Sequence, residues 1–239
     1  MAKAMDILEV LASSYKKLSL TAISERTEIN KSSTYKMLQV LCDYGYVEKL
    51  SNGSYYKLGR SIVDVYSHIT EKSDLRGIAH PYLVRLHEIT GCVTNLMILV
   101  GSAGVYLDVV PQENGGNGVG MSDHLHATAL GKAILAYLPE KQLETIIEGR
   151  PLKKVCTNTI CDPVLLKNEL VLTKKRGFAI DDEENHIGSR CVAAPLLDAD
   201  GDIIGAISVS GMATSISVST LFENSAHVVD IAKEVSARL

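Results

Sequence analysis

The chain has 239 residues, 46% of them hydrophobic, and a formal charge of −4, enough length for two modest domains or one large one. No apolar run reaches the roughly 18 residues of a membrane-spanning helix. The opening MAKAMDILEVLASS lacks a basic segment ahead of a continuous apolar core, so no signal peptide is read and the chain is expected in the cytoplasm. Five cysteines, Cys42, Cys92, Cys156, Cys161 and Cys191, contain no CxxC pair, which argues against a disulfide framework and a zinc ribbon.

The charge is unevenly spread. Residues 1–60 hold nine Lys+Arg against six Asp+Glu, and the remainder carries a net −7. A small basic unit on a larger acidic one suits a protein that presents one end to a polyanion.

Met5 to Ala12 is the first predicted helix, with Met5, Ile7, Leu8, Val10 and Leu11 on a broad apolar side. Ser19 is placed to cap a second helix through Arg26. Glu28-Ile29 is a tight turn, and Asn30 or Ser32 caps a third helix. There Thr34, Met37, Leu38 and Leu41 share one face at the i, i+3, i+4, i+7 spacing. The other face carries Ser32, Lys36 and Gln39, flanked by Lys31, Ser33 and Tyr35. Hydroxyls, an amide, a phenol and two cations can donate to phosphates or read base edges, and no acid stands among them before Asp43.

Gly45 fits the left-handed position after this helix. Two short strands follow, Tyr46 to Leu50 and Tyr55 to Leu58, with Asn52-Gly53 as the hairpin turn. Helix, helix, turn, helix and a two-stranded ribbon is the winged helix-turn-helix order, in which the third helix enters the major groove of double-stranded DNA. Lys49, Asn52, Ser54 and Lys57 would be the polar contacts of the wing. Any one of these lysines alone would be an ordinary surface charge; helix phase, wing and sequence together favour DNA.

Residues 60–74 read as a stiff connecting helix with an apolar side that suits a dimer seam or packing on its own domain. Leu75 to Thr90 is helical and Gly91 stops it. Val93 to Val100 and Val105 to Val110 are strand-like. Pro111 to Gly120 is glycine-rich without the Lys-Ser/Thr ending of a phosphate loop, so it reads as a mobile loop or lid. Thr128 to Leu138 is a helix, Pro139 opens the next, and Asp162 to Arg176 is another. Gly177 to Gly211 holds strands and turns. The last helix runs from about Ser217 to Arg238, with Leu221, Phe222, Val228, Val229, Ala232 and Val235 inward. The mixture lacks a strict βαβ rhythm, so the C-terminal part is expected to be α+β with an antiparallel sheet.

Two blocks of this chain resemble one family, the IclR-type bacterial transcription regulators. The first is DILEVLA…LSLTAISERTEINKSSTYKMLQVLCDYGYVEKL…YYKLG. The second is HLHATALGKA followed by GFAIDDEENHIGSRCVAAPLLDADG, with Gly177, Asp181, Glu184, Cys191, Val192 and Ala193 in the signature positions. The family usually has proline where Asn30 stands and arginine where Lys36 stands. Lysine keeps the charge and loses the bidentate fork, which directs Lys36 to a phosphate rather than a guanine. Leu197 replaces a more usual aromatic.

The resemblance implies a winged helix-turn-helix domain over residues 1–59, a linker helix over 60–74 and a GAF-like effector-binding domain over 75–239. It implies a regulator, expected to be a repressor, acting on palindromic operators as a homodimer or homotetramer. Its effector would be a small organic acid or sugar acid, and no cofactor is implied. The family's pocket maps onto Ala129, Leu130, Asp181, Ser189, Cys191, Ser208 and Ser210. Ser208 and Ser210 are two apart on a strand and so point the same way, and amides at the start of the TALGKA helix add favourable dipole charge for an anion.

Competing readings are blander or of another class. Cys191 with His186 or His126 as base and Asp181 as orienter would make a small-molecule enzyme, yet no nucleophile elbow surrounds it and VAAP reads as a buried strand. His124, His126, Cys156, Cys161 and His186 could be assembled into a metal site, but no second ligand pair supports one. Asp198, Asp200 and Asp202 echo a calcium loop, but Gly201 comes too early and position 12 is Val209, so a hairpin turn is expected. An adaptor built on the same two domains, binding protein rather than DNA, is a third class.

Overall fold

The computed structural model describes residues 2–14, 17–50, 55–62, 75–111, 118–149 and 151–239. They belong to two compact units, Met1–Asp74 and Leu75–Leu239. The connecting helix expected over 60–74, from residue 63 onward, lies outside the described residues, as do Asn52, Ser54 and most of the glycine-rich loop.

In the first unit, α1 (Ala2–Ala12), α2 (Leu20–Thr27) and α3 (Lys31–Asp43) precede β2 (Val47–Lys49) and β3 (Tyr55–Leu58). Two side-chain caps set the helix starts: Ser19 Oγ accepts from the Ala22 amide at 3.2 Å, and Asn30 Oδ1 from the Ser33 amide at 2.9 Å. Each satisfies a donor that the first helical turn leaves open. Glu28 ends α2 in the left-handed conformation, and Gly45 takes φ +73° just after α3, where a side chain would be strained. Ile7, Leu11, Ile23, Leu38, Leu41, Val47 and Tyr56 close one small core.

Three expectations need correction here. Met5 is exposed rather than inward, because Ile7 and Leu11 already fill the side of α1 that meets the core. The second strand is shorter than Tyr46 to Leu50. The ribbon also gains a third strand, β1 (Leu18–Ser19), which pairs Leu18 with Tyr56 to give the order β1-β3-β2. Two residues are too few to show any alternation in a sequence.

The second unit is a six-stranded antiparallel sheet covered on both faces. Its strands are β4 (Val93–Val100), β5 (Ala103–Val110), β6 (Ser122–Asp123), β7 (Ala179–Asp182), β8 (Ser189–Leu197) and β9 (Ile203–Met212), in the order β6-β5-β4-β9-β8-β7. On one face α4 (Leu75–Thr90) and α8 (Val218–Ser236) pack over Leu96, Val192, Ala194, Ile207 and Val209. On the other, α5 (Ala129–Leu135) and α7 (Pro163–Arg176) pack over Met97, Ala193 and Ala206, with α6 (Glu140–Glu148) contributing Ile147. The alternation of a pleated strand assigns each residue to its face. Ile207 and Val209 go to one core, and Ala206, Ser208 and Ser210 to the other.

Phe222 is a further correction: it is 51% exposed and meets Phe178 edge-on at 6.0 Å, because α8 turns Leu221, Asn224, Ser225 and Val228 inward instead. The TALGKA helix is also shorter than expected, seven residues ending at Leu135. Asp198 accepts from the Asp200 and Asp202 amides, as the hairpin-turn reading requires.

Candidate functional site

The outer face of α3 is laid out by helix phase. Thr34, Leu38 and Leu41 are buried, and the Thr34 hydroxyl bonds back to the Ile29 and Asn30 carbonyls. That leaves Lys31, Ser32, Tyr35 and Lys36 exposed, with Ser33 and Gln39 half-buried at the flanks. On the ribbon, Lys49 and Lys57 are exposed. Lys57 Nζ, however, lies 3.0 Å from Glu48 Oε2 across the β2–β3 pair. Strand register makes this expected wing contact half of an exposed ion pair. Asn52 lies outside the described residues.

In the second unit, Ala129, Leu130, Asp181, Ser189, Cys191, Ser208 and Ser210 all line one cavity of about 50 Å³. The sheet register brings four of them together. Ser210 stands beside Cys191 and Cys191 beside Asp181 in one row, with Ser208 two residues along β9. Helix α5 forms the roof, seated close because its third residue is Gly131: a Cβ there would lie 2.2 Å from the Leu125 carbonyl oxygen. Thr128 Oγ1 caps α5 by accepting from the Gly131 amide at 3.0 Å. One of the amides credited to the helix start is therefore committed within the protein.

Asn95, Tyr106, Thr128 and Asn185, missed by the sequence reasoning, complete the lining together with His186, which entered it only as a candidate base or metal ligand. Asn95 had a signal, the one amide side chain in the mostly apolar run VTNLMILV. It sits opposite Ser208 in the sheet, and its Nδ2 donates to Ser208 Oγ at 3.1 Å and Ser210 Oγ at 3.2 Å. Asp123, beyond the lining, accepts from Asn185 Nδ2 at 2.8 Å and from the Tyr106 hydroxyl at 3.4 Å. The lining offers amides and hydroxyls; its carboxyl group is Asp181.

Burial pushes Asp181 up to about 7, against the lowering effects of the Glu184 amide and Lys132. Asp181 Oδ1 accepts from the Glu184 amide at 2.8 Å and the Asn185 amide at 3.4 Å, folding the chain after β7 back over the cavity. Burial, helped by Asp181, also pushes the Cys191 thiol well above its ordinary value, so the sulfur is a neutral, lining group. Its polar neighbour is Ser189 Oγ at 4.0 Å. His126, the other candidate base, is held by the Lys153 carbonyl at 2.9 Å and stands outside the lining. His186 shares the lining with Cys191, but among the described residues neither His186 nor His126 hydrogen-bonds the sulfur, so the thiolate–imidazole arrangement of a nucleophilic enzyme is not formed. Among the described residues no three His, Cys, Asp or Glu converge as metal ligands.

Two family profiles match. The one described as IclR helix-turn-helix domain covers residues 1–51, and the one described as Bacterial transcriptional regulator IclR C-terminal covers residues 67–237. The Transcriptional repressor IclR of Escherichia coli K12 is 30% identical over 98% of this chain and 87% of its own. The crystal structure of the Thermotoga maritima IclR is 34% identical, with a TM-score of 0.73 over 100% of this chain and 97% of that one. An IclR homologue from Microbacterium hydrocarbonoxydans, solved in complex with 4-hydroxybenzoate, shares the fold at a TM-score of 0.76 and 19% identity, over 98% of each chain. With both profiles matched and these relatives spanning nearly all of it, the chain belongs to the IclR family of transcription regulators.

Proposed function

We propose that this regulator is a repressor whose grip on a palindromic operator is controlled by a short organic acid held in the α5–sheet cavity. The observation that carries the reading is the convergence of Asn95, Ser208, Ser210, Asp181 and Cys191 around one small enclosed space. Hydroxyl and amide donors suit a carboxylate or a hydroxy- or oxo-acid. Size narrows the class: at roughly 10–15 Å³ per water, about 50 Å³ admits a ligand of a few heavy atoms. A sugar acid would require the cavity to open. The named repressor of E. coli supports the direction of control, and the 4-hydroxybenzoate complex supports an organic acid as the kind of effector.

In this reading α3 enters the major groove, with Lys31, Lys36, Lys49, Asn52 and Lys57 on phosphates and Ser32, Ser33, Tyr35 and Gln39 toward base edges. Two copies match two half-sites as a dimer or as a pair of dimers. The acid acts by preferring one arrangement of the heads, since a ligand with equal affinity for both shifts nothing.

The test is a thermal-shift screen of two- to six-carbon oxo-, hydroxy- and sugar acids, followed by operator mobility shifts with each hit. A true effector raises the melting point by mass action and changes operator affinity. An acid that does the first without the second, or no hit in a screen that Ser208→Ala leaves unaltered, overturns the reading.

A further inference from the structure

A second cavity, of about 530 Å³, opens at the edge of the sheet domain between β6, α6, α7 and the segment that follows α6. It shares no lining residue with the inner cavity of about 50 Å³. Asp123 stands between the two: it lines the outer space and accepts from Tyr106 and Asn185 of the inner one. Small-molecule sites commonly enclose roughly 300–1,000 Å³ and are mostly apolar, with a few convergent polar groups. The outer cavity has that make-up.

Its floor is aliphatic. Leu135 from α5, Ile147 from α6 and Leu166 from α7 are buried core residues, yet all three line it. An apolar body displaces loosely held water from such a floor favourably. In the wall stands His126, which is 8% exposed and whose Nε2 lies 2.9 Å from the Lys153 carbonyl. A carbonyl only accepts, so Nε2 carries the proton. Burial lowers the pKa of the ring, with His124 and Lys132 acting in the same direction, and this keeps it neutral. Nδ1 is then a bare lone pair, with no partner among the described residues. A desolvated acceptor of this kind costs free energy unless something donates to it. Lys153, which fixes the ring through its carbonyl, also lines the cavity and is exposed, so its ammonium belongs to the rim.

These features select a ligand. The floor calls for an apolar body, the lone pair for an O–H or N–H donor at the inner end, and the ammonium for an anion at the outer end. An inorganic anion satisfies the last alone, and a hydrocarbon the first alone. We propose that the outer cavity is a second ligand site, for a ring-bearing carboxylic acid too large for the inner cavity and carrying one donor that meets His126. The inference draws on neither the operator nor the short acid, so its failure leaves the regulatory reading standing.

The experiment uses the full-length protein and indole-3-acetate, a probe with an apolar ring, an N–H and a carboxylate. The chain contains no tryptophan, so the emission anisotropy of the indole reports binding directly. 1-Methylindole-3-acetate lacks the donor, and 3-methylindole lacks the carboxylate. Indole-3-acetate is expected to bind with a submillimolar Kd and each of the other two about ten-fold more weakly. Lys153→Ala, at an exposed position, should remove most of the preference for the acid over 3-methylindole. Ile146→Phe, which fills the cavity from α6, should weaken all three about ten-fold. Absence of binding at millimolar indole-3-acetate overturns the proposal, as do three probes bound alike. Binding that both variants leave unaltered places the probe elsewhere and overturns it too. If Ile146→Phe misfolds, Lys153→Ala decides alone.

Discussion

Lys132 Nζ donates to Glu184 Oε1 at 2.5 Å, joining α5 to the turn after β7, with the two side chains 1% and 10% exposed. This pair lies behind the α5–sheet cavity: Lys132 follows the roof residues Ala129 and Leu130, and Glu184 belongs to the turn that Asp181 closes. The second oxygen, Glu184 Oε2, is buried and has no partner among the described residues, and burial raises the carboxyl above its ordinary value. Attraction between such charges roughly offsets their desolvation, while a lone survivor is costly. Lys132→Met is therefore expected to destabilise the C-terminal domain by about 3–5 kcal/mol, and Lys132→Met/Glu184→Met to recover most of the loss. Urea unfolding of the two single variants and the double completes the cycle. A double variant as unstable as the two losses added together would show that the pair itself is not what matters.

Asp181 gives a pH dependence of definite sign. Its carboxyl ionises near its ordinary 3.8 in the unfolded chain and at about 7 in the fold. Between those values the folded state holds the extra proton, so stability falls as pH rises from about 4 to about 7 and is level above. Asp181→Asn keeps an oxygen for the Glu184 and Asn185 amides and removes the titration. Its melting point should match that of the unaltered protein near pH 4 and exceed it at pH 8. Melting curves across that range decide it, and a variant that is less stable at pH 8 contradicts this account of the carboxyl. In the proposed reading an anionic effector also binds more tightly below pH 7, where Asp181 is neutral, and Asp181→Asn flattens that trend.

Ser208 and Ser210 should not be equivalent. Both oxygens accept from Asn95, but the Ser210 hydroxyl then donates to the Val93 carbonyl at 3.4 Å. The Ser208 proton has no acceptor among the described residues and is the one available to a bound carboxylate. A hydrogen bond to a charged group contributes about 1.5–3 kcal/mol, so Ser208→Ala should weaken acid binding by one to two orders of magnitude. Ser210→Ala should cost less, and isothermal titration of the best acid from the screen separates the two.

On the DNA head, Lys36→Ala should weaken operator and random duplex alike and lower the salt slope by about one. Ser33→Ala and Gln39→Ala should instead relax preference at particular bases. Glu48 holds Lys57 on the ribbon, so Lys57→Ala is expected to cost less than Lys36→Ala and Glu48→Gln to tighten binding. Mobility-shift titrations at several salt concentrations read all five. Equal losses for Lys57→Ala and Lys36→Ala would mean that Glu48 releases the lysine on contact with DNA.

Much of the fold was legible because its signals are local. The Ser19 and Asn30 caps, the Gly45 and Gly91 stops, the β4 bounds and the exposed face of α3 all follow from spacing within a turn or a strand. The errors share a cause as well. The two-residue β1 exists because β3 offers it a partner, and Phe222 turns outward because Leu221, Asn224, Ser225 and Val228 take the inward side. Neither fact is written in the residues around it.

From the order of residues alone came the two-part plan, the helix-turn-helix head and the antiparallel sheet domain, while the seven residues that line one cavity came from the resemblance to the IclR family. Tertiary structure alone decided that Asn95 bridges Ser208 and Ser210, that Glu48 occupies Lys57, and that a lysine inside TALGKA is buried against Glu184 fifty-two residues away. Caps and periodicities are energies between near neighbours in the chain, and these can be read along it. Ion pairs across a sheet or between a helix and a distant turn depend on register and packing, which exist only once the chain has closed on itself.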